Sequence, residues 1–99
     1  MAKEVIWSLT AQDDRKRILL YWRTRNKSNA YSQKLNQLFK EAIILIAEYP
    51  SIGRPTDQLN VRIKIVREYL IVYEETDLKI YILAIWDSRQ NPENNPALQ

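Results

Sequence analysis

Four cations in the second half of the chain, Arg62, Lys64, Arg67 and Arg89, are the side chains best equipped for chemistry. An arginine offers a planar fork to two phosphate oxygens and a lysine offers a mobile point charge. Val61-Arg-Ile-Lys-Ile65 alternates strictly, which predicts a strand with Arg62 and Lys64 on one face, about 7 Å apart, and Val61, Ile63 and Ile65 on the other. Two like charges that close persist best where an anion passes, so one reading is a phosphate-contacting patch. The other is a solvated face paired with Glu74 or Glu75 on the next strand. Tyr69, Tyr73, Tyr81 and Trp86 lie nearby in the sequence and could stack bases beside those cations, or pack a core at the same spacing.

Other chemistries are closed off. The chain has no Cys and no His, so a thiolate, a disulfide, an imidazole base and the usual zinc ligand set are all missing. The carboxylate pairs Asp13-Asp14 and Glu74-Glu75 diverge on a helix or a strand, and a single Gly cannot build a glycine-rich phosphate loop. No cofactor or metal is expected. At 99 residues the chain is sized for one domain, expected over residues 1–92 with a flexible tail over 93–99. Its start lacks a secretory or membrane-spanning apolar run, which makes the cytoplasm the expected compartment. The net charge of +3 permits an acidic or nucleic-acid partner without requiring one.

The elements that must position these residues are legible. Lys3–Ser8 reads as a strand, and Thr10 with Asp13 reads as the start of a helix that runs to about Asn26. Ser28 is an expected N-cap for a second helix, whose apolar positions Tyr31, Leu35, Leu38, Phe39, Ala42, Leu45, Ile46 and Tyr49 follow a 3.6-residue period up to Pro50. A helical hairpin results. Leu19, Leu20, Ile43 and Ile44 lie off the main stripes and are spare apolar surface for a partner's amphipathic segment. After the turn Pro50–Pro55 come three strands, at Val61–Arg67, Tyr69–Tyr73 and Leu78–Trp86. The fold class is α+β: an N-terminal strand, then an antiparallel helical hairpin on one face of a mainly antiparallel sheet completed by a C-terminal meander (β-α-α-β-β-β). Its second face is expected to be open.

This order, with Trp7-Ser8, Ala11, Tyr21, the turn Tyr49-Pro-Ser-Ile-Gly-Arg54, the stretch Arg62–Tyr73 and the ending Ile85-Trp-Asp-Ser-Arg-Gln-Asn-Pro92, resembles the RelE/ParE superfamily of bacterial type II toxins from Val5 to Pro92. The resemblance implies a RelE-like fold, a cognate antitoxin and a role in plasmid stabilisation. It implies one of two targets. A ribosome-dependent mRNA endoribonuclease would use Arg62, Lys64, Arg67 and Arg89 to neutralise the transition state without a metal, with Tyr69, Tyr73, Tyr81 and Trp86 at the substrate. A ParE-like inhibitor of DNA gyrase would share the fold without nuclease activity. Expected partners are therefore the antitoxin, which Leu19, Leu20, Ile43 and Ile44 would meet, and either the ribosome with mRNA or gyrase. An alternative of another class is a non-catalytic domain that docks an acidic partner.

Overall fold

A computed structural model describes residues 2–89, so the tail expected over 93–99 and the end of the Ile85–Pro92 motif lie outside the described residues. Strand β1 (Glu4–Trp7) leads into helix α1 (Leu9–Asn26). The cap differs from the one read in the sequence. Ser8, not Thr10, holds the N-cap position, and its Oγ accepts the Ala11 N–H at 3.0 Å. Ser8 also ties its Oγ–H to the Leu83 carbonyl at 3.0 Å, so the strand-to-helix junction is set by tertiary contact as well as by local propensity.

Helix α1 ends on Lys27 in the left-handed region (φ 51°). Helix α2 (Ala30–Glu48) follows, with Asn29 at its N-cap in place of the expected Ser28, whose Oγ nonetheless accepts the Ala30 N–H at 3.2 Å. Leu35, Phe39, Ala42 and Ile46 of the expected stripe are buried, whereas Tyr49 beyond the helix is exposed. A 3₁₀ turn over Pro50–Ile52 runs into a two-residue strand, β2 (Arg54–Pro55), that the sequence did not reveal. Strands β3 (Val61–Val66), β4 (Tyr69–Glu75) and β5 (Lys79–Asp87) form the expected meander.

The five strands order as β1-β5-β4-β3-β2, with β1 parallel to β5 and the other pairs antiparallel. A β-bulge at Val72/Tyr73 opposite Ala84 and Ile82 shifts the register of β4 and β5. Atoms released near the irregular stretch of β5 are satisfied by α1: the Leu83 carbonyl by Ser8, and the Ile85 N–H by Asp14 Oδ2 at 3.0 Å.

Two clusters make the core. The larger joins Ala11, Ile18, Leu35, Phe39, Ala42 and Ile46 of the helices to Val66, Tyr69, Ile71, Tyr73, Ile80, Ile82 and Ile85 of the sheet. The smaller lies on the opposite sheet face and contains Val61, Ile63, Leu70, Val72 and Ala84, with Leu83 and Trp86 packed against it. That face was expected to be open and instead carries its own apolar cluster, buried to 2–6% exposure. Burying the four larger side chains, Val61, Ile63, Leu70 and Val72, contributes on the order of 8 kcal/mol at about 2 kcal/mol each. Among the described residues no helix is long and apolar enough to cross a membrane.

Candidate functional site

Alternation along β3 holds as read, but its faces are the reverse of what a basic open surface requires. Val61 and Ile63 belong to the cluster away from the helices, and Val66 to the helix-side core. Arg62 and Lys64 share parity with Val66, so they extend from the edge of the helix-covered side. Arg62 donates from Nη1 to the Gly53 carbonyl at 2.8 Å and, at 3.4 Å, to the Ser51 carbonyl. Its charge thus fastens the turn after α2. Lys64 and Arg67 line a shallow groove with Leu38, Glu41, Ala42 and Leu45 of α2. Arg67 occupies the β3–β4 turn with φ 57°, a region costly for any residue with a Cβ.

Arg62 and Arg67 are five residues apart along an extended chain, about 16 Å. Arg89 lies past the end of β5, where its Nε and Nη2 donate to Asp87 Oδ1 and Oδ2 at 2.9 and 2.6 Å. Hydrogen bonding from Arg89 holds the Asp87 carboxyl below the ordinary carboxylate range, with burial opposing it, and Asp87 in turn raises the arginine's pKa. Arg67 and Arg89 thus both act on Tyr31 at one end of the sheet, whereas Arg62 is held at the turn after α2, and two of the four cations, Arg62 and Arg89, are already committed to partners within the protein.

The cleft nearest to Arg89 has a volume of about 300 Å³ and lies between α1 and the ends of β4 and β5. Arg17, Tyr21, Tyr69, Trp86, Asp87 and Arg89 line it. Arg17 donates from Nη2 to Asp14 Oδ1 at 2.6 Å, while the other oxygen of Asp14 holds the Ile85 N–H. Each guanidinium at this cleft already faces a carboxylate, so an incoming phosphate would have to compete with Asp14 and Asp87.

The four aromatic candidates fall on two faces. Tyr73 is fully buried; its hydroxyl donates to the Pro50 carbonyl at 2.6 Å and accepts the Gly53 N–H at 2.9 Å. Tyr69 accepts the Trp22 Nε1–H at 2.7 Å and meets Phe39 edge-on at 5.9 Å. Burial pushes both phenols up, against the lowering effect of those hydrogen bonds. Tyr81 is half-buried on the face away from the helices, opposite Ile6, and Trp86 stands on that face beside Leu70. Of the spare aliphatic residues, Leu20 and Ile44 are exposed by 51% and 61%, while Leu19 and Ile43 pack partly against the larger core.

Sequence reasoning weighed Asp14 only as half of a diverging carboxylate pair, and it is the one buried charged residue among those described. Its position three residues after Ala11 and four before Ile18, on the buried stripe of α1, was the available signal. Arg17 and Tyr21 of the cleft follow from the same stripe, one turn apart on its flank.

Among curated proteins none matches the sequence. In a solved structure, the chain resembles one described as "Chromosomal ParDE TA system from P. aeruginosa": the TM-score is 0.75, with 18% identity over 87% of this chain and 96% of that one. Identity that low speaks for the fold alone. Residues 5–92 match the family described as "ParE toxin of type II toxin-antitoxin system, parDE". On that match, which takes in every strand and both helices, the chain belongs to the ParE toxin family of type II toxin–antitoxin systems.

Proposed function

We propose that this toxin acts by inhibiting DNA gyrase and is neutralised by a cognate antitoxin. The observation that carries the choice of gyrase over mRNA is that two of the four cations, Arg62 and Arg89, are already engaged within the protein. Metal-free cleavage of a phosphodiester needs several cations around one phosphoryl group, within hydrogen-bond reach of its oxygens. Arg62 is turned to the Ser51 and Gly53 carbonyls and Arg89 is paired with Asp87, so two of the four are already held by partners within the protein. Membership in the ParE family supports the same reading. For the antitoxin, exposed Leu20 and Ile44 beside half-buried Leu19 and Ile43 suit the apolar face of an amphipathic segment.

Purified toxin is to be assayed in parallel against gyrase supercoiling and against message integrity on translating ribosomes. Blocked supercoiling with intact message is the expected result, relieved by the antitoxin. Message cut on the ribosome while supercoiling continues would overturn the proposal and restore Arg62, Lys64, Arg67 and Arg89 as candidates for chemistry.

A further inference from the structure

Charge is distributed unevenly along the chain. Residues 15–40, which make up most of the helical hairpin, contain eight lysines and arginines and no aspartate or glutamate, although the whole protein carries only +3. Arg15 is stacked over Trp7 at 4.7 Å and Arg17 is paired with Asp14. The other six, Lys16, Arg23, Arg25, Lys27, Lys34 and Lys40, are exposed and make no ion pair among the described residues. Arg25 leans on Tyr21 and Trp22. Glu68 of the β3–β4 turn receives the Tyr31 hydroxyl at 3.5 Å.

We infer that the helical hairpin over residues 15–40 is a docking surface for the phosphate backbone of duplex DNA. Lys16 and Arg23 are two turns apart on the outward stripe of α1, and Lys27 closes that helix. Together they form a row about 16 Å long, the axial rise of roughly five base pairs. Between and beyond them stand neutral hydrogen-bonding side chains that commonly contact phosphates: Thr24, Asn26, Ser28, Asn29, Gln33 and Gln37, all exposed. A protein partner would call for an apolar centre poor in lysine; from Arg23 to Lys34 no large aliphatic side chain is exposed, and Leu20, exposed between Lys16 and Arg23, is the point where the surface meets the one given to the antitoxin. A single-stranded nucleic acid would call for a platform of several aromatic rings, yet over residues 15–40 only Tyr21 is exposed, while Trp22 and Tyr31 are turned inward against the larger core. Choosing DNA over duplex RNA rests on the gyrase reading; the contact itself does not, because it requires no enzyme.

The test is fluorescence anisotropy of a labelled 30-base-pair duplex titrated with full-length toxin alone, without gyrase or antitoxin, at 50–200 mM salt. Four phosphate contacts would give a log–log salt slope of about −3.6, a loss of roughly 150-fold across that range. The double variant Lys16→Ala, Arg23→Ala should flatten the slope by about 1.8 and weaken binding about 50-fold. Lys79→Ala, on the sheet beside Glu4, should bind as the parent does and controls for general charge loss. Unaltered circular dichroism shows that the double variant is folded. No binding at 50 mM salt, equal losses for Lys79→Ala, or tighter binding of polyglutamate or single-stranded RNA than of the duplex each overturns the inference. Intact DNA binding without gyrase inhibition strikes the previous proposal only.

Discussion

Replacing Tyr73 with phenylalanine removes one oxygen atom and two hydrogen bonds from the interior. The ring, fully buried between the sheet and α2, keeps its packing. What is lost is the donation to the Pro50 carbonyl and the acceptance of the Gly53 N–H. Gly53 is buried, so its N–H is left without a partner at about 1–3 kcal/mol, while the partly exposed Pro50 carbonyl can turn to water at about 0.5–1.5 kcal/mol. The sum, about 1.5–4.5 kcal/mol, is a large fraction of the stability of a domain this size. In urea unfolding it should move the midpoint down by roughly 1–3 M with the slope unchanged. A pH signature accompanies it. Burial raises the Tyr73 pKa, so the folded state keeps its full stability below pH 10 and loses it as pH climbs through the raised value, a loss that Tyr73→Phe should lessen. A destabilisation under about 0.5 kcal/mol would refute the reasoning, since it would mean that the turn holds without its phenolic anchor.

Gly53→Ala should destabilise by about 1–3 kcal/mol in the same denaturation assay, because a Cβ there meets Tyr73 Oη at 2.5 Å and the Ile63 carbonyl at 3.0 Å. Asp14→Ala leaves the buried Ile85 N–H unpaired and should cost about 1–3 kcal/mol by calorimetry; a neutral result would show that the bulged strand finds another acceptor. Arg67→Gly relieves a left-handed residue and should raise stability by about 1 kcal/mol, seen as an increase of several degrees in Tm. In an NMR titration the Asp87 carboxyl should titrate below the usual range and return upward in Arg89→Ala; its depressed pKa makes the pair's contribution present above the unfolded value and lost as pH falls through the folded one.

The second helix and the meander were plain in the sequence because periodicity is a local property: α2 has a clear 3.6-residue stripe and β3 a strict alternation. What alternation could not say is which face turns to the helices. That depends on Val66 at the far end of β3, whose parity Arg62 and Lys64 share, and on which residues of β4 stand opposite. Strand β2 escaped notice since two residues, one of them Pro55, become a strand only by pairing with Ile63 and Arg62. Arg62's engagement with Gly53 and Ser51 was hidden for a similar reason: its partners are backbone carbonyls, which carry no mark in a sequence. The Ser8 cap was missed where the competing Thr10 sat closer to an acidic residue, and tertiary anchoring to Leu83 decided between them.

The parallel pairing of β1 with β5 joins Glu4 to Lys79 and Trp7 to Ile82, across 75 residues of chain. Strand β5 sits between β1 and β4, so among the described strands the latest one to be synthesised occupies an inner position in the sheet. A nascent chain stopped before it can form the helical hairpin and the β3–β4 pair, but β1 has nothing to pair with and the larger core lacks Ile80, Ile82 and Ile85. Synthesis and assembly are thereby ordered in time: the toxin cannot take its native form until β5 has been made and has entered the sheet between β1 and β4.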